Sequence, residues 1–310
     1  MARKLPPSFR LSSEVERALG QKLPLVALES TVISHGLPYP DNLTLAEDME
    51  DEVRRQGVVP ATVAVLDGEV CIGVSPVELQ RLALPGSGLL KISTRDYGPA
   101  IAKAGSGGTT VAGTMLAAYL AGIRVFSTGG IGGVHHSISK RRRYGYDVSA
   151  DLPTLTHIPM IVVCAGAKAI LDIPATLEYL ETWGVPVVGY QSDDFPAFYA
   201  SSSRLKASTR ADTPLEVVEL ARAHWSMGLQ SAVLVAVPPP EDVAMPIDTV
   251  NAAVRQALRE ARERRIRGQA VTPYLLERVR KLTRGESLRA NVGLLLNNAR
   301  IAGQIARLLT

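Results

Sequence analysis

The 310-residue chain holds only two cysteines, Cys71 and Cys164, and neither belongs to a Cys-x-x-Cys pair or stands near a histidine at metal-ligand spacing. Both lie in apolar, strand-like runs, so a disulfide framework and a thiolate metal site are excluded and reduced core thiols are expected. Aromatic residues make up 5% of the chain. Ala, Val, Leu and Gly take their place, a composition that suits a parallel sheet wrapped by helices. No run of about 18 apolar residues occurs, which argues against a membrane-spanning helix. The opening M-A-R-K-L-P-P-S has no continuous apolar region of the signal-peptide kind. The expectation is a soluble, cytoplasmic protein with no membrane partner. Neither a Walker A loop nor a GxGxxG motif is present, so nucleoside triphosphates and dinucleotides are poorly supported as ligands. The formal net charge of +4 is a mild basic excess that fits small anionic substrates as well as nucleic acid and decides neither.

What is abundant is hydrophobic sequence, 46% of residues, enough for a large core. "LPLVALEST" (23–31) reads as a buried strand ending in Glu29. Thr44 with Glu47 gives a capping-box pattern for a helix that turns Leu45, Met49 and Val53 inward and ends at Gly57. "ATVAVLDGEVCIGV" (61–74) reads as a hairpin around Asp67-Gly68. A short helix near 76–83 leads to "LLKIST" (89–94), a buried strand carrying Lys91. A glycine-rich turn, helix 109–121, strand 123–128 and a second glycine-rich turn follow. After a basic loop come strand 160–164, a helix with Lys168 just inside its start and Gly184 at its end, and strand 185–190. Helix 214–227, strand 231–237 and helix 247–264 complete the alternation. Strands alternating with helices predict an α/β fold with a mainly parallel sheet and right-handed crossovers, a hairpin near the N-terminus and a helical C-terminal segment. No internal repeat or low-complexity linker appears. One domain over 1–310 is expected, with 1–20 as a lead-in and 270–310 as the helical end. In such a sheet ligands bind beyond the carboxyl ends of the strands.

Candidate chemistry collects in those turns. A lysine at a helix start faces the positive end of the dipole, and burial adds to the pressure against its charged form, so Lys168 is either misplaced or wanted as a neutral amine. Glu29, at an apolar strand end, has the setting of a carboxyl with raised pKa that can serve as a general acid. Lys91 either snorkels from an edge strand or holds a phosphate. In "AKAGSGGTTVAGTM" the amides of Thr109, Thr110 and Val111 would face an anion at a helix N-terminus, or the small residues serve tight packing alone. "STGGIGGVHH" repeats the glycine pattern and adds His135, a structural hydrogen-bonder or a site residue. In "DVSAD", Asp147, Ser149 and Asp151 would point to one side if extended, a set of oxygens suited to Mn²⁺ or Mg²⁺ unless it pairs with the preceding cations. "KRRR" (140–143) is a solvated loop or, less in keeping with its surroundings, a nucleic-acid contact. An acid, an amine, a phosphate cradle and a possible metal converge on sugar-phosphate chemistry.

Taken together, "ALESTVISHGLPYPDN", "KISTRDYGPA", "GGTTVAGTM", "STGGIGGVH", "DVSADL", "VVCAGAKAILDIPATLEYLET", "DDFPAFY", "VTPYLLERV" and "ESLRANVGLLLNNARIA" resemble, in collinear order, the pseudouridine-5′-phosphate glycosidase family, which includes the indigoidine-synthesis protein A group. The resemblance implies cleavage of the C–C glycosidic bond of pseudouridine 5′-phosphate to uracil and ribose 5-phosphate. It implies a glycosidase, hydrolytic in its net use of water and classed with lyases, that is a homotrimer with one divalent ion per subunit, usually Mn²⁺. By position it implies Glu29 as proton donor, Lys168 as the nucleophile at the sugar's C1, and Asp147 at the metal. Lys91, Val111 through its backbone, Ser149, Ala150 and Asp151 fall on substrate-binding positions, and His135 and Asn291 on further polar positions of the pocket. The chain departs from the family in a longer loop after His135, in His136 where Arg is common, in Asp194 for Glu, and in Ser201 and Arg204 after "FPAFY". The nearest alternative is another Schiff-base sugar-phosphate lyase acting on a related C-nucleotide. A more distant one is a nucleic-acid-binding protein using "KRRR" and the helix "VRQALREARERRIRG" (254–268), whose mixed Glu and Arg look self-paired. No nucleic-acid partner is expected.

Overall fold

A computed structural model describes residues 5–86, 88–136, 147–266 and 271–309. Its first strands are β1 (Phe9–Leu11), β2 (Leu25–Leu28), β3 (Val59–Leu66), β4 (Glu69–Ile72), β5 (Leu90–Ile92), β6 (Gly107–Thr109), β7 (Val125–Ser127) and β8 (Val134–His135). The chain continues through β9 (Ile161–Cys164), β10 (Leu171–Asp172), β11 (Val187–Tyr190), β12 (Asp194–Ala197), β13 (Ala200–Lys206), β14 (Thr209–Ala211) and β15 (Val233–Ala236). The heart of the sheet is the parallel series β3–β2–β7–β9–β15–β11–β14. All four residues of β2, β9, β11 and β15 are buried. That is the pattern of strands covered on both faces, and it explains their unbroken apolar sequence.

The first hairpin forms as its sequence requires. Asp67 and Gly68 both adopt positive φ, 50° and 82°, which closes a tight turn between antiparallel β3 and β4. β1 adds in parallel to β4, while β6 pairs antiparallel with β3 and parallel with β5. The C-terminal end is helical, Val271–Leu282 then Glu286–Leu309. This last helix packs on β2, β7 and β9 and against helices Asp41–Arg55 and Pro214–Ser226. Among the described residues no helix is long and apolar enough to cross a membrane.

Local expectations shift in several places. The second helix starts at Asp41, a turn before Thr44, because the Asn42 amide anchors it by donating to Ile33 O at 2.7 Å and Ala83 O at 2.9 Å. Leu45, Met49 and Val53 are its buried face, as the spacing predicts. The strand carrying Lys91 is a three-residue edge in which only Ile92 is buried. Gly107 to Thr109 form a strand where a turn is expected, and the helix that follows is Val111–Leu120. The "KRRR" segment (140–143) lies outside the described residues, as does the end of the basic stretch 254–268. Within the described part of that stretch, Glu260 accepts two hydrogen bonds from Arg278 of the next helix.

Candidate active site

β2, β7 and β9 are neighbours in the sheet, and their carboxyl ends bring the site together. Leu28 lies opposite Ser127, and Ser127 opposite Val163, so Glu29 and Thr128 leave their strands side by side. The Thr128 hydroxyl donates to Glu29 Oε1. Glu29 is 5% exposed. Burial pushes its pKa above the ordinary glutamate value, while the positive charge of Lys168, the Thr128 hydrogen bond and the charge of Lys91 pull the other way. A carboxyl whose protonated form is favoured by burial is equipped to give a proton up when negative charge develops nearby.

Lys168 is half-buried and within electrostatic reach of Glu29 and Lys91. Its placement differs from the expected helix start. It sits in a turn beyond β9, and the helix begins only at Ile173, with Asp172 Oδ1 accepting from Ala175 N as the cap and Pro174 in the first turn. Aspartate and proline in those positions fix the helix start there, so the dipole cannot act on Lys168. Leu171 and Asp172 instead pair antiparallel with His135 and Val134. What holds Lys168 is the turn after β7. Ile131 N donates to Gly166 O and Lys168 N to Ile131 O, extending the parallel pairing past the strand ends. Gly166, at φ 86°, gives the bend that this zipper needs.

The two glycine-rich turns do different work. At the first, Thr109 is fully buried, its amide donating to Ser30 Oγ and its hydroxyl to Val63 O. Thr110 N donates to Ile92 O, and the Thr110 hydroxyl caps the helix by accepting from Gly113 N. The Thr109 amide and hydroxyl and the Thr110 amide are therefore spent on the fold rather than offered to an anion, whereas the half-buried Thr110 hydroxyl still has its own hydrogen to give. Ala112 N goes to Asp151 Oδ1 at 2.9 Å. Of the three amides expected to face a ligand, only that of Val111 has no hydrogen-bond partner among the described residues. The second turn leads to β8, not to a helix, so it forms no dipole-assisted cradle. Its glycines admit other elements: a Cβ on Gly132 would lie 2.2 Å from Ser149 Oγ and 2.6 Å from Asp151 Oδ2.

Asp151, 5% exposed, opens the helix Asp151–Leu155 and clamps both turns, since its other oxygen accepts from Gly132 N at 2.8 Å. The alternation through Asp147, Ser149 and Asp151 therefore ends at Ser149, whose Oγ accepts from Asp151 N. Asp147 faces solvent with its side chain 65% exposed, and its carboxylate lies 3.4 Å from His135 Nδ1. Ala150, half-buried, caps the Asp151 helix. Although Lys91 keeps solvent contact, the protein around its ammonium, and then the like charge of Lys168, hold its pKa below the ordinary lysine value. Asn291 is half-buried on the C-terminal helix. Among the departures from the family pattern, His136 lies 3.7 Å from Asp172, Asp194 pairs with Lys206 at 2.8 Å, Arg204 pairs with Asp248, and Ser201 is exposed.

Residues 14–308 match the family described as indigoidine synthase A like protein. The chain belongs to this family. Within it, the sequence is 49% identical over 298 residues to a pseudouridine-5′-phosphate glycosidase of Solibacter usitatus, covering 96% of this chain and 98% of that one. It is 46% identical over 302 residues to the pseudouridine-5′-phosphate glycosidase of Escherichia coli, covering 97% and 96%. The crystal structure of the prealnumycin C-glycosynthase AlnA in complex with ribulose 5-phosphate is similar at a TM-score of 0.89 and 38% identity, covering 98% of this chain and 97% of that one. An indigoidine synthase A-like protein from Thermotoga maritima is similar at a TM-score of 0.85 and 31% identity, covering 96% and 95%.

In this indigoidine synthase A-like chain, no three His, Cys, Asp or Glu side chains cluster as a metal cage among the described residues. One open carboxylate, Asp147, fits a hard, largely hydrated divalent ion and does not fit a caged one. Sequence reasoning passed over two residues of the site. Thr128 reads as one more hydroxyl in a glycine-rich turn, and only the strand register shows it beside Glu29. Asn298 lies in a mostly apolar helix, where its Nδ2 donates to Thr128 O at 2.9 Å. Its spacing of seven from Asn291 is the signal that could have found it, because the two share a helical face.

Proposed function

We propose that this chain is a pseudouridine-5′-phosphate glycosidase that releases uracil and ribose 5-phosphate through a Schiff base on Lys168. The observation that carries this is a buried Glu29, its pKa raised by burial, within electrostatic reach of Lys168 where the ends of β2, β7 and β9 meet, in a chain nearly half identical to a protein of that name over almost its full length. A C–C glycosidic bond has no basic leaving nitrogen, so protonating the base cannot expel it. Glu29 instead gives its proton to the ribose ring oxygen, and the Lys168 amine, its own proton given up, adds at C1 as the C1–O bond opens. The C1–C5 bond then breaks with its electron pair going to uracil C5, which takes up a proton. The remaining iminium between Lys168 and C1 is hydrolysed by water to ribose 5-phosphate and free lysine. One water is consumed in all, so the net reaction is hydrolytic although the bond-breaking step is an elimination.

Lys91 and the Val111 amide are the groups suited to the substrate's phosphate, and the family resemblance assigns Ser149, Ala150, His135 and Asn291 to the rest of the substrate. Asp147 would hold Mn²⁺, or Mg²⁺, one per subunit, which when bound would supply positive charge toward the phosphate. The homotrimer that the family resemblance implies belongs to the same proposal. Likeness to a C-glycosynthase favours one second reading, a Schiff-base enzyme that makes or breaks a related C-nucleotide.

Purified protein with Mn²⁺ and pseudouridine 5′-phosphate should release uracil, with none from uridine 5′-phosphate. Lys168→Ala should release none, and Lys168→Arg should fail as well because a guanidinium stays charged. A folded, metal-supplied wild type that yields no uracil would discard the named substrate, and substantial turnover by Lys168→Arg would discard the covalent step.

A further inference from the structure

Glu29 is fixed at one oxygen. Thr128 Oγ1 donates to Oε1, and Oε2 has no hydrogen-bond partner among the described residues. Thr128, itself fully buried, is held at every polar atom: its N donates to Val163 O at 3.0 Å and its O accepts from Asn298 Nδ2. Asn298 comes from the C-terminal helix and is likewise fully buried. One turn earlier on the same face, Leu294 and Leu295 press against Gly129, where an added Cβ would lie 3.1 Å from Leu295 Cδ2. Asn298 Oδ1 is buried with no partner among the described residues. An unmatched buried oxygen is a liability that a leucine at this position would not carry.

We propose that Asn298 is a positioning residue of the reaction, holding Thr128 so that its hydroxyl fixes Glu29 with Oε2 toward the substrate. This rests on Glu29 being the acid. A hydroxyl proton committed to Oε1 leaves Oε2 as the oxygen that carries the transferable proton. The link also sets how readily Glu29 ionises. The Thr128 hydrogen bond favours the carboxylate, as do Lys168 and Lys91, while burial and Asp151 oppose it. Loosening Thr128 therefore moves the Glu29 titration upward.

The test follows Glu29 directly in the full chain by difference infrared titration of its carboxyl band, identified by its absence in Glu29→Gln. Thr128→Val, Asn298→Leu and Asn298→Ser should all titrate higher than wild type, and Thr128→Ser, which keeps the hydroxyl, should titrate as wild type. Two Asn298 variants are used because one fills the space and the other vacates it, and thermal scans identify whichever is folded. In uracil release, Asn298→Leu should lose about 10- to 100-fold in kcat with KM changed by less than about threefold, as expected when an acid is misplaced and binding is intact. Combining it with Thr128→Val should cost no more than Thr128→Val alone, because Asn298 acts through Thr128. Folded Asn298 variants that titrate as wild type, or a double variant whose loss is the product of the single losses, would overturn the proposal. A wild type that releases no uracil would refute the proposed substrate, and the infrared titration would still decide whether Asn298 acts on Glu29.

Discussion

Burial and ionisation oppose each other at Glu29, and the opposition has a sign that can be measured. Its folded pKa lies above the ordinary 4.5, so from there up to the folded value the native state binds more proton than the unfolded chain. Stability therefore falls as pH rises through that window, and the contribution is fully present only below it. Glu29→Gln removes the dependence. Calorimetric scans should find Glu29→Gln melting higher than wild type at neutral pH, with the gap closing toward pH of about 4. Equal melting points at both pH values would contradict the burial of an ionisable acid. Glu29 and Lys168 could be picked from the sequence because charged residues at apolar strand ends stand out. The helix dipole does not act on Lys168: Asp172 and Pro174 mark the helix start at 173, a signal that the apolar spacing through Ile170 and Leu171 masks in the sequence. Thr128 and Asn298 escaped because their importance lies in register and in a contact between distant segments.

Among the elements, the decisive one is the Asp151 clamp. Its two carboxylate oxygens take amides from the helix start at Ala112 and from the glycine turn at Gly132. An asparagine has one acceptor oxygen, so Asp151→Asn sets its NH₂ against a second N–H. Denaturant unfolding should show a loss of about 1.5–3 kcal/mol, the worth of a buried charge-assisted hydrogen bond. A variant as stable as wild type would mean that the clamp is not needed to join the turns. The strands and helices themselves were largely legible: strand-helix alternation, Asp67-Gly68 and the apolar helix spacings all point where the chain goes. The turns were not. Glycine in sequence says only that space or φ is needed, and at Gly132 it is space for Asp151 rather than an anion that claims it.

For the whole molecule, the alternation implied parallel strands but not their order, which depends on packing between segments far apart in the chain. That order is what sets β2, β7 and β9 side by side and so assembles acid and amine. The proposed homotrimer predicts a light-scattering mass of about three times 33.2 kDa, and a monomer mass at working concentration would remove it from the account. The central claim is that Lys168 bonds covalently to the sugar. Borohydride added to the protein with ribose 5-phosphate, followed by digestion and peptide mass spectrometry, examines that bond. The account predicts a reduced sugar-phosphate adduct on Lys168. An adduct on Lys91, or none from protein that turns over its substrate, would contradict it.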